Sequence, residues 1–514
     1  MKTFNSNANS GFMLVQTVIF AALAVLIIGG LSSWSGANIK LAKRSILREK
    51  SIQIAEAGVD YYRWHLAHDP QDFTDGTGNP GPYIHDFNDK NGVKIGTFSL
   101  SITPPLSGST IVTIESTGTV VEDLSIQRTI RTRLAIPSLA KYAFVSNSDM
   151  RFGAGTEIFG QIHSNGGIRF DGLSHNIISS ARSDYDDPDH AGGNEFGVHT
   201  HVNAPPGTGI NDTFRPNEAP PTTPVPYRPD VFEAGRQFPV PAVDFVGLTT
   251  DLAQIKASAQ SSGRYFAASG GLGYRIVFNP VSNGTDTFSI YRINTLRNPP
   301  GGCTKPAAPA PPATDTQIGW GTWSIGTTGG STTLIGTYQI PSNGLIFVED
   351  HAWVSGTING DRVTVASGRF PDVAATRTSI TMTDSLNYTN TNGTDVIALI
   401  AQNNINIGLY SADSLDIDAA LIAQSGRVGR YYYNTSCSSS YHRQQINLYG
   451  MIATSQRYGF TYTGSNWNCG GTIGNIGSGY CTRNIVYDAN LLFGPPPSFP
   501  LTSDQYSTIS WEEL

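Results

Sequence analysis

An apolar run from Phe12 to Leu31 constrains this chain more than any other feature of its sequence. A helix of about 20 residues rises about 30 Å, which matches the hydrocarbon core of a bilayer. A secretory signal has a shorter apolar stretch of about 7–15 residues followed by a small-residue cleavage site. Residues 35–37 (SGA) offer such a site, but the run is too long for that interpretation. The length therefore favours a membrane-spanning helix over residues 12–31.

The helix is predicted to continue to His68, because Asp69-Pro70 is a plausible stop. Beyond the apolar run, residues at intervals near seven form one apolar stripe. These residues are Ile39, Ile46, Ile52, Val59 and Leu66. A helix over 12–68 would be about 85 Å long, which is more than a membrane anchor requires.

Two short segments of this region carry a family resemblance. Residues 11–15 (GFMLV) resemble the processing site of type IV prepilins and pseudopilins, and residues 51–62 (SIQIAEAGVDYY) resemble the segment after the membrane helix in PilX-type minor pilins. The resemblance covers about the first 70 residues. It implies that a prepilin peptidase cuts after Gly11, removing 1–11 as a leader, and that the new N-terminal Phe12 is methylated. It also implies that the helix packs against other pilin or pseudopilin subunits.

The chain departs from the pilin pattern at Gln16, where most pilins carry Glu. In the family that carboxylate is thought to pair with the N-terminal amine of a neighbouring subunit. A neutral residue there is compatible with a subunit that lacks this neighbour, at the tip of a filament, or with a simple helix–helix hydrogen bond. Gln16 and Glu56 are therefore the candidate filament contacts.

The distribution of basic residues opposes export of the C-terminal part. Only Lys2 precedes the apolar run, whereas a basic group follows it, and this bias favours a cytoplasmic C-terminus. The group consists of Lys40, Lys43, Arg44, Arg48 and Lys50. Long domains translocate largely regardless of charge, so we expect a single-pass inner-membrane precursor with an exported C-terminal domain, located at the pilus or cell surface once assembled. A membrane-anchored cytoplasmic solenoid is a weaker alternative.

The remainder of the chain reads as mainly β-structure. Residues 69–137 contain three predicted strands, 94–103, 110–119 and 125–136, and a long helix followed by a small antiparallel sheet resembles the pilin fold. Further on, residues 398–402 (ALIAQ) recur as 420–424 (ALIAQ) and as 450–454 (GMIAT), with earlier cognates at 160–164 and 356–360. A single short strand repeated every 20–30 residues favours a β-solenoid, and an antiparallel β-sandwich is the alternative.

These patterns divide the β part into four regions. The first part of the solenoid is expected over 138–202 and the main part over 342–493, with a Pro-rich insertion at 203–341 that carries a small β module. Strands are predicted in this module at 265–278 and 287–294. The tail, 494–514, is again Pro-rich, and 501–514 is expected to be loosely held. The fold class is thus mainly β with one long N-terminal α-helix.

Two clusters offer weak candidates for metal ligands. The first consists of Asp184, Asp186, Asp187 and Asp189 beside His190, and the second of His199 and His201. Alternating carboxylates suit a hard cation, but the spacing is not that of an EF-hand, so a solvated acidic loop is favoured. The two histidines point to one face of a strand, and a zinc site needs a third ligand, which His163 or an acidic residue could supply. We therefore expect no metal and no cofactor.

The search for an active site gives one weak candidate. Asp416 and Asp418 alternate on a strand-like run, which puts their carboxylates about 7 Å apart, within the range of inverting glycosidases. A membrane-anchored carbohydrate-active enzyme is therefore the alternative function, whereas two solvating aspartates are the plainer interpretation. Aromatic residues near the C-terminus suit either a surface glycan or protein ligand or core packing. They are Tyr431, Tyr432, Tyr433, Tyr441, Tyr458, Phe460, Tyr462 and Trp467.

Composition and cysteine spacing complete the sequence evidence. Only 14% of residues are charged and the net charge is −7, so no basic face favours nucleic acid as a partner. Cys469 and Cys481 bracket a Gly-rich segment and are predicted to form a disulfide if the domain is exported; otherwise they are reduced thiols. We expect a non-enzymatic subunit with a role in adhesion or pilus assembly.

Overall fold

The structure is a computed structural model that describes residues 10–105, 109–245, 247–303, 324–470, 475–492, 494–502 and 505–514. Most of the expected leader therefore lies outside the described residues. The chain divides into two compact units. The first contains Met1–Pro104, Val112–Leu134 and Tyr506–Leu514, and the second contains Pro105–Ile111 and Ala135–Gln505. The expected fold class is confirmed, because one long N-terminal helix precedes a mainly β chain.

The N-terminal helix, α1, extends over Ser10–His68 and ends where Asp69-Pro70 predicts. Its described side chains from Phe12 to Ile46 are all exposed. From Leu47 onward, residues at helical spacing are buried on one face. They are Leu47, Ser51, Ile54, Ala55, Gly58, Val59, Tyr62 and Leu66. The predicted seven-residue stripe has two parts, because Val59 and Leu66 are buried whereas the Ile39 and Ile46 side chains are exposed to 67% and 58%.

The helix packs on a small sheet within the first unit. The strand order is β1 (Tyr83–Asn88), β2 (Lys94–Thr103), β3 (Val112–Val120), β4 (Asp123–Ala135) and the C-terminal strand Ser507–Glu513. β1, β2, β3 and β4 pair in antiparallel fashion, and burial alternates along β3. The three predicted strands are present, whereas β1 was not predicted.

The expectation of a loosely held tail over 501–514 is wrong for its last strand. The strand Ser507–Glu513 forms the edge of the five-stranded sheet. Arg131 on β4 forms ion pairs with Glu115 at 2.7 Å and with Glu512 at 3.1 Å. The backbone N–H of Leu514 donates to the carbonyl of Thr129 at 2.9 Å. These contacts fix a segment whose composition alone suggested disorder.

Small residues bring the helix and the sheet into close contact. The Ser51 hydroxyl donates a hydrogen bond to the carbonyl of Gly118 at 2.7 Å. A Cβ on Gly118 would lie 2.1 Å from the Ser51 carbonyl oxygen, and one on Gly58 would lie 2.3 Å from the hydroxyl oxygen of Ser116. Gly58 belongs to the AEAG segment of the sequence. Its lack of a side chain thus lets the helix approach the sheet.

The second unit is built from short strands. Its N-terminal part contains β5 (Tyr142–Ser146), β6 (Met150–Phe152), β7 (Glu157–Ile158), β8 (Gln161–Ser164), β9 (Ile168–Phe170), β10 (Leu173–Ser174), β11 (Ile178–Ser180), β12 (Asp184–Tyr185), β13 (Glu195–Phe196), β14 (Val198–His199) and β15 (Arg236–Gln237). The region expected as an insertion adds helix α2 (Gly247–Ser262), β16 (Arg264–Phe266), β17 (Tyr274–Asn279), β18 (Thr287–Ile293) and β19 (Thr332–Gln339).

The C-terminal part of this unit has longer strands. They are β20 (Leu345–Val348), β21 (Ala352–Ile358), β22 (Arg362–Ser367), β23 (Ile380–Met382), β24 (Leu386–Tyr388), β25 (Val396–Ala401), β26 (Ile405–Ile407), β27 (Ser414–Ala423), β28 (Val428–Arg430), β29 (His442–Thr454), β30 (Thr461–Asn468) and β31 (Asn475–Tyr487). Short 3-10 turns lie at Leu139–Lys141, Pro216–Glu218, Ala374–Thr376, Thr435–Tyr441 and Ala489–Leu492.

The sequence repeats align as parallel strands. Strands β16, β20, β22, β25, β27 and β29 pair in that order, and β5, β8, β11 and β15 continue the series. In this stack Leu399 pairs with Leu421, which pairs with Ile452. The cognate at 356–360 lies elsewhere, because β21 pairs with β17, β23 and β24. Antiparallel strands β18, β19 and β30 join the same network, so the β-solenoid assignment stays an interpretation.

The strands of the stack are buried on both faces. Leu399, Leu421 and Ile452 lie in one core cluster, whereas Ile400 and Ile422 lie in a second one. Buried parallel strands read as continuous apolar runs, as in the ALIA repeats. Helix α2 covers the second cluster through residues such as Leu252 and was not predicted. The expected insertion is therefore part of the second unit, and its predicted strands are shorter or shifted.

Candidate functional site

The residues with the most unusual environment lie between β12 and the segment that follows β14. Strands β12 and β13 pair in antiparallel fashion, with Tyr185 opposite Glu195. Strand β14 pairs in parallel with β9, with His199 opposite Arg169. His201 follows two residues later, so both imidazoles lie on one side of the strand. The chain therefore folds back on itself and brings Glu195 and the two histidines together.

Five donor groups converge here. Asp187, His190, Glu195, His199 and His201 each present one ligand atom, and these atoms all lie within 4.8 Å of one another. The Glu195 Oε2 atom lies 2.8 Å, 3.0 Å and 3.1 Å from the Nε2 atoms of His199, His190 and His201. The Asp187 Oδ2 atom lies 3.6 Å from His199 Nε2 and 3.5 Å from His190 Nε2. We name these five residues the His-carboxylate cluster.

The cluster is closed to solvent. The side chains of Glu195, His199 and His201 are 0% exposed, and that of Asp187 is 2% exposed. Four of its atoms have no hydrogen-bond partner among the described residues: Nδ1 and Nε2 of His199, Nδ1 of His190 and Oδ2 of Asp187. Buried polar atoms in folded proteins are usually hydrogen-bonded, so these four atoms require an explanation.

A second layer of hydrogen bonds fixes three of the five donors. The Asp189 N–H donates to Asp187 Oδ1 at 3.0 Å, and the Arg215 N–H donates to Glu195 Oε1 at 2.7 Å. The Nδ1 atom of His201 lies 2.8 Å from the Asn211 carbonyl oxygen, and this bond leaves Nε2 free to accept. Each carboxylate therefore uses one oxygen for positioning and turns the other towards the imidazoles.

The electrostatics of the cluster favour ionised carboxylates. Burial alone raises the pKa of Glu195, but the adjacent imidazoles of His199 and His201 outweigh it and hold that pKa well below its usual range. Burial likewise opposes ionisation of Asp187, yet His199 and the Asp189 N–H bring its pKa to about 2. The pKa of His199 is raised, because the two carboxylates overcome the effect of burial. The cluster thus attracts positive charge strongly.

The structure separates the residues of the predicted acidic loop. Asp187 is buried, so a fully solvated loop is wrong for this residue. Asp189 forms ion pairs with Arg457 at 2.6 Å and Arg151 at 3.3 Å, and Asp184 accepts from the Asn194 amide at 2.7 Å. Asp186 is exposed.

Sequence reasoning did not include Glu195 among the candidates and took His190 only as a neighbour of the acidic group. His163 is not the third imidazole; it contacts Ser179 and Asn165 instead. The spacing in the sequence could have identified Glu195 as a candidate. It precedes His199 by four residues, in a segment rich in His and Asp.

The candidates on the helix lie on its exposed surface. Gln16 and Glu56 are both exposed, whereas Ala55 and Gly58 beside Glu56 face the sheet. Gly11 and Phe12 lie at the start of α1. Among the described residues, one helix, Phe12–His68, is long and apolar enough to cross a membrane by length and composition. The roles of these residues in processing and filament contact stay predictions.

The pair predicted from strand alternation lies on β27. Asp416 accepts a hydrogen bond from the Asn447 amide at 2.6 Å, and Asp418 accepts one from the Tyr388 N–H at 2.9 Å. Burial raises the pKa of Asp418, against the effect of the Tyr388 hydrogen bond. Both carboxylates are half-buried and engaged within the sheet.

Most of the aromatic residues near the C-terminus belong to the core. Tyr431, Tyr433, Tyr441 and Phe460 are buried, whereas Trp467 is 36% exposed. Of the two interpretations that the sequence left open, core packing therefore fits these four buried residues. Tyr433 covers the guanidinium group of a fully buried residue, Arg430, with 4.7 Å from its Cζ to the ring centroid. These rings satisfy buried charge and fill space between strands.

All four cysteines are paired. Cys469 and Cys481 form the disulfide expected from their spacing, although residues 471–474 between them lie outside the described residues. Cys303 and Cys437 form a second one across a sequence separation of 134 residues. Sequence spacing gave no signal for this second disulfide, which depends on the tertiary fold.

Comparison with known proteins finds similarity among solved structures. No protein-family model matches the chain, and no curated protein sequence matches it. Among solved structures, the chain is similar to the competence-associated pilin ComZ from Thermus thermophilus, with a TM-score of 0.30 and 11% identity. The match covers 91% of this chain and 98% of that chain. At this TM-score the likeness carries no argument about function.

Proposed function

We propose that this chain is a pilin-like structural subunit of a surface filament and has no enzymatic role. The observation that supports the proposal is the division of α1 into two parts. Its side chains from Phe12 to Ile46 are exposed, whereas one face from Leu47 to Leu66 is buried against the sheet of the first unit. The second half of such a helix is fixed to the sheet, and its exposed first half can contact a membrane or other subunits.

The exposed half of the helix needs an apolar partner. The apolar run from Phe12 to Leu31 lies in this half and is exposed along its whole length. Extended apolar surface of this size marks a membrane or protein interaction site. In the proposal, lipid covers it in the inner-membrane precursor and helices of other subunits cover it in the filament. Glu56 and Gln16 lie on exposed positions where they can contact such neighbours.

Processing of the precursor is the part of the proposal most open to a direct test. A prepilin peptidase would cut after Gly11, leaving Phe12 as a methylated N-terminus. Gly11→Ala should leave uncleaved precursor, which intact mass spectrometry of the membrane fraction detects. Gly29→Ala is the matched control, since Gly29 lies in the same helix and a Cβ there meets nothing within 4 Å. A mature N-terminus at Asn38, or cleavage that is unchanged in Gly11→Ala, would contradict the proposal.

Export of the β-structure is the second requirement. The disulfides Cys303–Cys437 and Cys469–Cys481 suit an oxidising compartment. Lys50, one of the basic residues that oppose export, is paired with Glu122 at 2.8 Å. The exported part would then serve in adhesion to a glycan or protein ligand, or in pilus assembly. Protease added to intact cells should digest this part; a protected domain would favour the cytoplasmic alternative.

A further inference from the structure

The His-carboxylate cluster has the contacts of a metal site. In five carboxylate–imidazole pairs the donor atoms lie 2.8–3.6 Å apart, and all five donor atoms lie within 4.8 Å of one another. Ligand atoms bound to zinc at about 2.0–2.2 Å stand about 3.4 Å apart in a tetrahedron, and closer when a fifth ligand is added. The five carboxylate–imidazole separations are therefore close to the edges of one coordination shell.

Hydrogen bonding within the cluster does not account for all its atoms. His199 Nε2 lies 2.8 Å from Glu195 Oε2, but among the described residues it has no partner in hydrogen-bond geometry. Asp187 Oδ2 is also without one, although Asp187 Oδ1 is bonded to the Asp189 N–H. Both atoms are buried within the cluster, and a cation bound to them would give each a partner.

We propose that Asp187, His190, Glu195, His199 and His201 bind one divalent transition-metal ion of the zinc class. Three imidazoles and two carboxylates form a borderline nitrogen and oxygen donor set, which suits zinc better than calcium or magnesium. A dication would balance the charge of the two buried carboxylates.

The closed environment makes this centre structural. Catalytic zinc sites keep one position open to water or substrate, whereas structural sites are filled by protein ligands. Here four ligand residues are fully buried and His190 has a side chain that is 5% exposed. The ion would therefore stabilise the fold and take no part in catalysis.

The segments that meet at the ion are otherwise weakly held. Strands β12, β13 and β14 contain two residues each. Through second-layer bonds to Asn211 and Arg215, the same ligands also tie down the Pro-rich segment that follows His201. One ion thus fixes the hairpin of β12 and β13, strand β14 and the start of the Pro-rich segment.

The test uses the full-length chain in detergent, purified without added chelator. Elemental analysis should find about one zinc per chain. After removal by a chelator, Zn²⁺ should raise the thermal unfolding midpoint, and Ca²⁺ should not. Co²⁺ added to the stripped protein should give the visible absorption of a site with mixed nitrogen and oxygen ligands. These measurements need no mutant and so do not depend on whether a variant folds.

Two variants locate the ion. His199→Gln should weaken zinc binding by more than about 100-fold, since loss of even an outer-layer partner costs about 10–100-fold. His163→Gln is the matched control, because His163 is a buried histidine of the same unit that contacts Ser179 and Asn165 and not the cluster. It should bind zinc as the wild type does. Equal zinc affinity in both variants, no response of the stripped protein to Zn²⁺, or an equal response to Ca²⁺ would overturn the proposal.

Discussion

Gly118→Ala tests whether contact between helix and sheet holds the first unit together. Gly118 lies on β3 directly against α1. A Cβ there would stand 2.1 Å from the Ser51 carbonyl oxygen and 2.6 Å from the Ala55 nitrogen, both backbone atoms that cannot rotate away. Atoms in ordinary contact stand about 3.5–4.0 Å apart, so the helix must move away from the sheet by more than about 1 Å.

The expected cost combines two effects. Forcing an extra methyl group into a packed interface costs about 1–3 kcal/mol. Moving the helix also breaks the buried hydrogen bond from the Ser51 hydroxyl to the Gly118 carbonyl, which is worth about 1 kcal/mol. The sum, about 2–4 kcal/mol, corresponds to about 30- to 700-fold more frequent opening of the unit. Ser51→Ala, which removes only the hydrogen bond, should cost about 1 kcal/mol.

Hydrogen exchange followed by mass spectrometry measures this opening locally in the full-length chain. Peptides from β3 and from the second half of α1 should exchange faster in Gly118→Ala, and less so in Ser51→Ala. Gly153→Ala is the control, because a Cβ on Gly153 meets nothing within 4 Å. Exchange in Gly118→Ala at the wild-type rate would refute the close approach of helix and sheet.

Two further predictions concern the disulfides and acid stability. Replacing both Cys303 and Cys437 by Ser should lower the free energy of unfolding by about 4–5 kcal/mol, whereas replacing both Cys469 and Cys481 should lower it by about 3 kcal/mol. The reason is that the first disulfide closes a loop with a sequence separation of 134 residues and the second one of 12 residues. Denaturant titration measures both losses, and equal losses would contradict the loop-length argument. Hydrogen bonds from the Thr74 hydroxyl and N–H lower the pKa of Asp72 from 3.8 to about 2. Since the folded pKa is the lower one, this stabilisation is present above about pH 4 and is lost as the pH falls towards 2. The difference in unfolding midpoint between wild type and Asp72→Asn should therefore become smaller from pH 6 to pH 2. A difference that stays constant over this range would contradict the lowered pKa of Asp72.

The sequence predicted those parts of the fold that depend on local patterns. Helix α1 ends at His68 because Asp69, the residue before Pro70, disfavours the helical conformation. The ALIA repeats pair in register because identical apolar positions stack on one another. Helix α2 was missed because it lies between Pro-rich stretches and its sequence has few apolar residues, of which Leu252 and Ile255 are buried. The Pro-rich flanking segments dominate the composition of this region, so the composition did not indicate a helix.

The candidate site was only half predictable for a different reason. The sequence singled out Asp187, His199 and His201, but Glu195 is an isolated acidic residue on a strand of two residues, and its place opposite Tyr185 follows from a hairpin that no strand pattern indicates. The Cys303–Cys437 disulfide was missed likewise, because its halves meet only after the intervening strands have stacked. Contacts of this kind depend on the topology and not on spacing.

Strand length and buried charge are related in the second unit. The C-terminal stack has strands as long as β27 and β29, which bury continuous apolar runs and need few other contacts. Strands β9 to β15 contain two or three residues each, so each strand supplies few side chains to the core. In that region the buried Arg169 pairs with Asp171 at 2.7 Å, and the buried Glu218 pairs with Arg236 at 2.5 Å. The His-carboxylate cluster lies in the same region. Where the strands are short, paired buried charges add to the apolar packing, and a bound dication would add a further charge interaction at Asp187 and Glu195.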